Sequence, residues 1–278
     1  HKGNLSIAKK LILAAKQAGA DYVKFQKRDN KYLLGDEYYK PHPVPENSYG
    51  SNYGKHRDFL EFNISQHINL HKFCKKNKIN YSVSVWEKNS AKEFVKSKLN
   101  LDYLKVPSAC NTDFELLEYL CKHFKKKIHI SLGMTTKKET KKIFNFFKKF
   151  KRTKDLIFYS CTSDYPVQNE DVCLLDIVEL NNEYGKNIDC VAFSGHHLGI
   201  AHDVSAATLG ARYIERHFTL DRTWKGTDHA ASLEPQGLSK LVRNIKIIDN
   251  SLKKKNGNKV LKCELEQRKK LKRYKKLN

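Results

Sequence analysis

The sequence predicts an α/β fold and, within that class, a (β/α)₈ barrel made of one domain. Helical and strand patterns alternate along the chain, and seven predicted strands each follow a helix. The chain has 278 residues and 40% hydrophobic content, which suits a single barrel of about 250 residues with a large core. Late in the series an alanine-rich helix joins two short apolar runs, a pattern typical of a parallel βαβ unit.

The first elements are predicted from helical spacing and from the residues that end it. Leu5 to Ala18 carries apolar residues at helical spacing, Gly19 ends this helix, and Asp21 to Gln26 is the strand that follows. Residues 27–63 are polar and contain several prolines, so they predict a long loop. A loop of that length in a compact domain is usually functional or disordered.

The remaining elements repeat one pattern, an amphipathic helix followed by a short apolar strand. The helix and strand pairs cover residues 64–77 and 81–86, 90–98 and 102–106, 113–124 and 128–132, 136–150 and 156–160, 171–184 and 191–193, and 201–209 and 211–214. A final helix over 238–252 closes the series. Eight strands close such a barrel, and this chain begins with a helix. We therefore expect the first strand to be missing from this chain.

Composition argues against several functional classes. The formal net charge is +23, but the lysines fall on helix faces and in a basic tail, and no nucleic-acid-binding motif accompanies them. We therefore expect no nucleic-acid partner, and the positive field favours anionic small molecules. The seven cysteines never form a CxxC pair, which fits a reducing compartment. No apolar run approaches the ~20 residues of a membrane span, so we expect a cytoplasmic protein with no membrane partner.

Two histidines follow neighbouring predicted strands near the end of the barrel series. His196 comes after the strand that ends at Phe193, and His217 comes after the strand that ends at Ile214. The carboxyl ends of parallel strands are where α/β folds place their chemistry. Two imidazoles with carboxylates nearby suit Mn, Fe, Co or Zn better than Mg, so we interpret both histidines as metal ligands. The alternative is a pair of hydrogen-bonded histidines that cap buried strands.

Lysines and serines mark several other strand ends. Lys24 and Lys105 alternate into the predicted barrel mouth, where a buried ammonium group is costly without an anion. A substrate with a phosphate and a carboxylate would satisfy both lysines. Ser84, Ser131 and Ser194 add hydroxyl groups at three further strand ends. Taken singly, each of these polar side chains could also be merely solvated.

Three motifs carry a resemblance to a known family. They are SGHHLGI at 194–200, TLGARYIERHFTLDR at 208–222 and KGTDHAASLEP at 225–235. They resemble the sialic acid synthase family, whose members join phosphoenolpyruvate to an N-acyl hexosamine. The resemblance covers nearly the whole chain and implies that His196 and His217 bind a divalent metal, Mn²⁺ first, with Mg²⁺ or Co²⁺ as alternatives.

The resemblance also implies the other site residues. Those expected to contact phosphoenolpyruvate are Lys24, Ser84, Lys105, Ser108, Ser131 and Ser194. Those expected to hold the acceptor sugar are Gln26, Tyr165 and Asp228, with Asn52 of the long loop as a further contact. Tyr165, which precedes a proline, could equally be a packed turn aromatic.

The catalytic residues implied are Lys24, Lys105 and Glu215. Glu215 is the candidate acid or base within this chain, and a glutamate on the family's first strand is a second candidate. The rival interpretation is that Glu215 orients His217 or pairs with Arg216.

The family architecture sets the expected domains. Residues before the first helix form the family's first strand, and His1-Lys2-Gly3 resembles the remainder of its Asn-His-x-Gly motif. We expect an N-terminally truncated barrel over residues 1–252 and a basic tail or linker over 253–278. The family's C-terminal antifreeze-like domain is expected to be absent, and a homodimer is expected only of a full-length protein.

The resemblance implies an N-acetylneuraminate synthase-like transferase. Its substrates would be phosphoenolpyruvate and an open-chain N-acyl hexosamine, either N-acetylmannosamine or a related 2,4-diamino sugar, and its products a nonulosonic (sialic) acid and phosphate. One alternative is another phosphoenolpyruvate-dependent aldose-condensing synthase. The other is an inactive barrel fragment with a basic binding role.

Overall fold

The computed structural model describes residues 1–226 and 228–273, and its central feature is one parallel sheet whose strands pair in chain order. The strands are β1 (Tyr22–Lys27), β2 (Asn80–Val85), β3 (Tyr103–Val106), β4 (Lys127–Ser131), β5 (Leu156–Cys161), β6 (Cys190–Gly195) and β7 (Ile214–Arg216). The helices are α1 (Leu5–Gln17), α2 (Asn30–Leu34), α3 (Tyr53–Leu60), α4 (Ile64–Lys76), α5 (Lys88–Lys96), α6 (Phe114–His123), α7 (Lys137–Lys149), α8 (Asp176–Tyr184), α9 (Ala201–Thr208), α10 (Pro235–Ser251) and α11 (Leu265–Leu271). A helix precedes every strand, so the predicted alternation is confirmed.

Polar side chains fix where several helices begin. The Asn63 side chain accepts a hydrogen bond from Gln66 N at the start of α4, and the Gln66 side chain accepts one from Asn63 N. Thr136 and Glu139 form the same reciprocal pair at the start of α7. These capping boxes satisfy backbone N–H groups that the first turn of a helix leaves without partners.

The register of the sheet aligns polar residues near the carboxyl ends of the strands. Gln26 of β1 pairs with Ser84 of β2, and Ser84 pairs in turn with Lys105 of β3. On the other side of the sheet, Ser194 of β6 pairs with Glu215 of β7. Because paired residues of neighbouring strands lie side by side, the register brings polar side chains from several strands to one end of the fold.

The sheet curls so that its two edge strands approach each other. Lys24 Nζ on β1 lies 3.7 Å from Glu215 Oε2 on β7, although these strands stand at opposite ends of the sheet order. Across residues 1–226 and 228–273, no backbone ladder joins β1 to β7. This part of the chain is therefore an open, barrel-like α/β sheet, and an eighth strand ahead of α1 stays a prediction.

Aromatic rings fill the interior beneath Lys105. His129 is fully buried, stacks on Tyr103 at a centroid distance of 3.7 Å, and has its Nδ1 2.9 Å from the Tyr159 hydroxyl. Tyr213 lies against His129 at a centroid distance of 5.1 Å. Lys105 Nζ lies 4.1 Å from the centre of the Tyr159 ring. These rings pack in the interior next to Lys105, one of the polar residues at the strand ends.

The region predicted as one long loop, residues 27–63, contains two α-helices, so that prediction was wrong in detail. Asp29 accepts a hydrogen bond from Tyr32 N and starts α2, and Asn52 accepts one from Lys55 N and starts α3. These helices have only 5 and 8 residues, too few for a clear periodic pattern between prolines and glycines.

The last strand also differs from its prediction over 211–214. Residue 212 already hydrogen-bonds to β6, through Arg212 N and Val191 O at 2.9 Å, but the strand itself begins at Ile214. Glu215 therefore lies inside β7, with alternating side-chain directions on either side of it, instead of in a loop after the strand.

One helix begins later than predicted. The helical pattern over 171–184 becomes α8 only from Asp176, after a 3₁₀ turn at Asn169–Asp171. Cys173 has a positive φ of 52°, a left-handed conformation that an α-helix cannot contain.

The basic tail predicted over 253–278 is described as far as Arg273, and residues 274–278 lie outside the described residues. It contains α11 and has mostly exposed side chains. The cysteines carry free thiols, as their scattered spacing predicts. Among the described residues, no helix combines the length and the apolar character needed to cross a membrane.

Candidate active site

Two buried ammonium groups share one carboxylate at the carboxyl end of the sheet. Lys105 Nζ donates to Glu215 Oε1, and Lys24 Nζ lies 3.7 Å from Glu215 Oε2. The Lys105 side chain is only 3% exposed, against 18% for Lys24. A charge buried so deeply requires a partner, and Glu215 supplies it. A substrate anion was expected in this role from the sequence, and the internal counter-ion Glu215 was not predicted.

Hydroxyl groups extend this cluster on two sides. Lys24 Nζ donates to Ser84 Oγ at 2.8 Å. Ser194 Oγ donates to Glu215 Oε1 at 3.0 Å, the same oxygen that accepts from Lys105. Five of the residues predicted to form the site therefore lie in direct contact.

The charges in the cluster shift the pKa values of its members. Burial alone would raise the pKa of the Glu215 carboxyl, but the ammonium groups of Lys105 and Lys24, with the hydrogen bonds it accepts, hold that pKa well below its usual range. Burial lowers the pKa of Lys24 to about 8, while Glu215 acts against this shift and neighbouring cations add to it. Glu215 is therefore a carboxylate at neutral pH.

The two histidines predicted as metal ligands lie beside each other. The ring centroids of His196 and His217 are 5.3 Å apart, and the Tyr165 ring contacts both, at 4.4 and 5.9 Å. His217 Nδ1 lies 3.8 Å from Asp228 Oδ2. The peptide bond between Tyr165 and Pro166 is cis. Tyr165 thus packs on the histidine pair, a position compatible with either role that the sequence left open for it.

Both imidazoles are neutral near pH 7. Burial, followed by the neighbouring His217, lowers the pKa of His196 to about 4, and burial also lowers the pKa of His217. His196 Nδ1 lies 2.9 Å from Thr162 O. Because a carbonyl oxygen only accepts, this Nδ1 carries the proton and Nε2 keeps its lone pair.

A neutral imidazole held by a carbonyl oxygen is the usual form of a metal-ligating histidine. The donor set therefore fits a divalent transition metal with two protein nitrogens and further ligands from substrate or water. In the part of the chain that the structure describes, no group of three or more His, Cys, Asp or Glu side chains is arranged to hold a metal ion. The metal site therefore stays a prediction.

Two predicted serines lie near the ends of β3 and β4. Ser108 Oγ accepts from Gly133 N at 3.1 Å and lies 3.8 Å from Cys161 Sγ. A Cβ at Gly133 would lie 2.7 Å from Ser108 Oγ, so this close approach requires glycine. Ser131 is buried at the end of β4, where its carbonyl oxygen accepts from Asn111 Nδ2 at 2.9 Å.

A cavity of about 740 Å³ opens between β1 and β7 and reaches the charged cluster. The predicted site residues on its wall are Lys24, Gln26, Glu215, His217 and Asp228. Helices α1, α9 and α10 contribute apolar side chains, among them Ile12, Ala207, Leu241 and Ile245. Asn52 is not among the described residues that line this cavity, and its side chain caps α3 instead.

The sequence analysis missed Arg28, which lies above Gln26 on the same wall. The Arg28 guanidinium lies 4.1 Å from the Trp86 ring, donates to Gln26 Oε1, and has Nη1 3.8 Å from Glu61 Oε2. A signal for it was present, because Lys24, Gln26 and Arg28 alternate and therefore share one face of an extended segment.

The side chains of the site can bind a small anion beside a second ligand whose carbonyl group is made more reactive. Lys24 and Lys105 attract negative charge, and their neighbouring hydroxyl groups add hydrogen bonds. The neutral pair of His196 and His217 offers lone pairs, and it is close enough for Lys105 and Glu215 to act on the pKa values of both rings. Glu215 contacts both lysines and is the candidate acid or base of the cluster.

Comparison with models of protein families gives a match to the NeuB family over residues 11–257. Among curated relatives, N-acetylneuraminate-9-phosphate synthase of Homo sapiens is 37% identical over 254 residues, which cover 91% of this chain and 68% of the relative. N,N'-diacetyllegionaminic acid synthase of Campylobacter jejuni is 32% identical over 254 residues, which cover 91% of this chain and 74% of the relative.

A solved structure supports the same family and fold. The crystal structure of N-acetylneuraminic acid (sialic acid) synthetase from Leptospira borgpetersenii, in complex with citrate, matches with a TM-score of 0.80 and 25% sequence identity. The match covers 99% of this chain and 90% of that chain. The fold and the relatives therefore agree.

Proposed function

The chain belongs to the NeuB family, and from that premise we propose that it condenses phosphoenolpyruvate with an open-chain N-acyl hexosamine, giving a nonulosonic acid and phosphate. The observation that carries the proposal is the contact of Lys24 and Lys105 with Glu215, next to the pair of His196 and His217. Two cations and a lone-pair donor site are what a donor with two anionic groups and an aldehyde acceptor require.

Phosphoenolpyruvate lies beside the charged cluster of Lys24, Lys105 and Glu215 in this proposal. Lys24 and Lys105 bind its phosphate and carboxylate, and the hydroxyl groups that surround it come from Ser84, Ser108, Ser131 and Ser194. Because Glu215 already holds both ammonium groups in place, the substrate meets preorganised cations and binding requires little rearrangement.

The acceptor lies nearer the mouth, between Gln26 and Asp228 on the cavity wall and Tyr165 on the histidine pair. Asn52 stays a predicted further contact. The methylene carbon of phosphoenolpyruvate forms a carbon–carbon bond to the aldehyde carbon, and the aldehyde oxygen takes up a proton. Water then adds to the carbon that bears the phosphate while Glu215 accepts one of its protons. The bond from that carbon to the phosphate oxygen then breaks, the departing phosphate takes up the proton of the new hydroxyl group, and the 2-oxo group of the product remains.

His196 and His217 are the residues that would hold a divalent metal, Mn²⁺ in this proposal, with Mg²⁺ or Co²⁺ as alternatives. When bound, such an ion would supply Lewis acidity at the aldehyde oxygen. The contribution of the chain itself is to keep both imidazoles neutral by burial and to orient His196 through Thr162 O.

The class of product is a nonulosonic acid, and the chain is accordingly an N-acetylneuraminate synthase-like transferase. The names of the two curated relatives differ on the acceptor, since one describes a 9-phosphate product and the other a legionaminic acid. A three-carbon donor and a six-carbon acceptor give a nine-carbon acid, so a phosphate on its last carbon comes with the acceptor. N-acetylmannosamine, its 6-phosphate and 2,4-diamino sugars are therefore the acceptors to compare.

The direct test is phosphate release from phosphoenolpyruvate by the purified protein with Mn²⁺. We expect release that depends on the acceptor and a nine-carbon 2-oxo acid in the same amount, measured by mass spectrometry. Release of phosphate without any acceptor, or none with any acceptor of the panel, would contradict the proposal.

Bound metal content tests the proposed metal site separately from turnover. We expect His217→Ala to lose bound metal after dialysis, measured by elemental analysis, together with turnover. His123→Ala, an exposed histidine at the end of α6, is the matched control and should keep both. Equal metal content in the two variants would contradict the assignment of His217.

A further inference from the structure

The connections that lead from a helix to the next strand all lie at one end of the parallel sheet, opposite the candidate active site. Together with the last four residues of each preceding helix, they form a surface that we name the amino-end face. The proposed condensation uses no residue of this face. It comprises residues 14–21, 73–79, 93–102, 120–126, 146–155, 181–189 and 205–213.

Positive charge is concentrated on the amino-end face. Its residues include 16 Lys or Arg and six Asp or Glu. The segments at the opposite end, each taken with the first four residues of the helix that follows, include 10 Lys or Arg and 19 Asp or Glu. A uniform excess of lysine would raise the charge of both ends alike. The segments of the opposite end are 28–67, 86–91, 107–117, 132–140, 162–179, 196–204, 217–226 and 228–238.

The helix dipole accounts for part of this asymmetry, because it favours cations in the last turn of a helix. It does not account for Lys78, Lys98 and Lys151, which follow the ends of α4, α5 and α7 with φ angles of 55°, 54° and 56°. Glycine is preferred at such left-handed positions, and Gly19 and Gly210 occupy them after α1 and α9. At three helix ends the chain therefore carries a cation where the backbone favours glycine.

Hydrogen bonds across the amino-end face satisfy carbonyl groups and leave the lysine charges uncancelled. Lys16 Nζ donates to Lys78 O at 2.6 Å, and Lys154 Nζ donates to Lys186 O at 2.7 Å. These bonds join neighbouring connections into one surface. A carbonyl oxygen carries no net charge, and every lysine of the face is exposed. The face therefore presents a positive field to the solvent.

Acidic neighbours neutralise only part of this charge. Asp155 pairs with Arg152, and Glu118 of α6 pairs with Lys122. Asp189 pairs instead with Lys127, the first residue of β4, which lies just outside the face. Because the acidic residues of the face are so few, most of its exposed lysines have no carboxylate to pair with.

A planar anionic surface is the partner that fits these features. The connections end at the same edge of the sheet, so their cations spread over a face. Of the 16 basic residues, 14 are lysines, which act as point charges, whereas arginine is preferred where single phosphates or bases are recognised.

The hydrophobic side chains of the face argue against a nucleic acid. Among its described residues no large hydrophobic side chain, aromatic ones included, is exposed. Stacking of bases on exposed aromatic rings is the usual way to bind single strands, and this face offers none. Adsorption to anionic lipid needs only charge, and each lysine near the lipid surface strengthens it.

We propose that the amino-end face adsorbs to a membrane surface that contains anionic phospholipid. The opposite end, with its excess of acidic residues, is repelled by the same surface. The protein therefore adsorbs in one orientation, and the cavity that Lys24 and Glu215 line stays open to solution. No membrane partner was predicted from the sequence, because no apolar run can span a membrane, but adsorption through charge requires no such run. The proposal does not depend on the condensation.

Sedimentation with sucrose-loaded vesicles tests the proposal. We expect the protein to bind vesicles that contain about one third phosphatidylserine, and not to bind vesicles of phosphatidylcholine alone. Binding should weaken by about tenfold between about 0.05 M and about 0.2 M salt, because salt screens charges at a surface. Binding to both kinds of vesicle, or to neither, would overturn the proposal.

A triple variant with Lys78→Gly, Lys98→Gly and Lys151→Gly tests which surface binds. It removes three charges and puts glycine where the backbone favours it, so it should keep the fold, as circular dichroism can verify. We expect its affinity for the anionic vesicles to fall by about tenfold, since each lysine near the lipid contributes to binding.

The matched control is the triple variant Lys31→Gln, Lys55→Gln and Lys138→Gln. These lysines are exposed and lie at the opposite end of the sheet, so the control loses the same charge from the other surface. It should keep the affinity of the wild-type protein. Equal affinities of the two triple variants for anionic vesicles would contradict adsorption through the amino-end face.

RNA is the competing polyanion in this test. Single-stranded and duplex RNA are measured at the same salt concentration with the wild-type protein and both triple variants. If RNA binds, the glycine variant weakens that binding and anionic vesicles do not bind, the partner is a nucleic acid and the proposal is wrong.

Cys173 reports the orientation of the adsorbed protein. Its side chain is exposed and lies in the connection between β5 and α8, at the end opposite to the amino-end face. A water-soluble maleimide should modify this thiol equally fast with and without anionic vesicles, as measured by mass spectrometry of the peptide that contains it. Slower modification on vesicles would place this end against the lipid and would overturn the proposal.

Discussion

At the residue scale, the site depends on how three charged groups share a buried space. Lys105 has almost no exposed surface and contacts both Glu215 and the ring of Tyr159, whereas Lys24 lies on the wall of the cavity. The two lysines therefore differ in exposure and in the side chains that they contact. Their individual roles can be separated by substitution and by pH.

We expect Lys105→Met to raise KM for phosphoenolpyruvate more than tenfold and to change KM for the sugar much less. The variant removes a cation that faces the donor and leaves Glu215 with one fewer partner. Steady-state kinetics with each substrate varied in turn measures both constants. Lys127→Met is the matched control, because Lys127 lies at the amino end of β4 and pairs there with Asp189 at 2.9 Å. Equal changes in both constants would count against the assignment.

We expect phosphoenolpyruvate binding to weaken as pH rises through about 8. The pKa of Lys24 is lowered to about 8 by burial, so its ammonium group is charged below that pH and becomes neutral above it. The pH profile of kcat/KM for phosphoenolpyruvate reports this group in the free enzyme. In Lys24→Arg the guanidinium stays charged, so the alkaline loss should move to higher pH. An unmoved alkaline limb would mean that another group titrates there.

At the scale of elements, a buried polar network joins α9 to the ends of β6 and β7. Asp203 on α9 is fully buried, accepts from Arg216 Nη1, and has Oδ2 3.1 Å from His197 Nε2. Arg216 Nη2 also donates to His197 O at 2.6 Å. Strand alternation directs Arg216 to the helix side of β7, so Glu215 and His217 face the opposite side. The network thus fixes the strands that carry the site.

Asp203→Asn is expected to lower the free energy of unfolding by about 3 kcal/mol, because it leaves the buried Arg216 guanidinium without a carboxylate. Denaturant unfolding followed by circular dichroism measures this change. Asp189→Asn is the control, since Asp189 pairs with Lys127 near the surface and should cost less than about 1 kcal/mol. Similar losses in both variants would show that the network does not hold α9 to the sheet.

At the scale of the whole molecule, the open seam between β1 and β7 is the main feature. The cavity lined by Lys24, Glu215 and His217 lies along this seam. A strand that closed the sheet would therefore border the candidate active site. Side chains bridge the seam through Lys24 and Glu215, but within the described residues no backbone ladder does. An eighth strand in this seam is the remaining part of the predicted barrel.

Hydrogen exchange tests the state of the seam. Amides of β1 and β7 that face it should exchange faster than those of β3 and β4, which are paired on both sides. Mass spectrometry of peptic peptides measures the rates, with β3 and β4 as internal references. Equally slow exchange in all four strands would show that the edge strands are covered in solution.

Local patterns in the sequence predicted the alternation of helices and strands, and the motifs near His196 and His217 carried a family resemblance that the family match confirms. Both results depend on local patterns, since periodicity and short motifs are properties of neighbouring residues. The polar residues at the strand ends could be predicted from the sequence as well, because the carboxyl ends of parallel strands converge in any fold of this class.

Which charged side chains contact each other depends on the three-dimensional fold. Glu215 contacts Lys105 across 110 residues of sequence, and neither rival role that the sequence offered it, orienting His217 or pairing with Arg216, anticipated that contact. Arg216 instead pairs with Asp203 of α9. Such contacts depend on the curl of the sheet and on the short helices of residues 27–63, and no local pattern encodes the distance between two remote side chains.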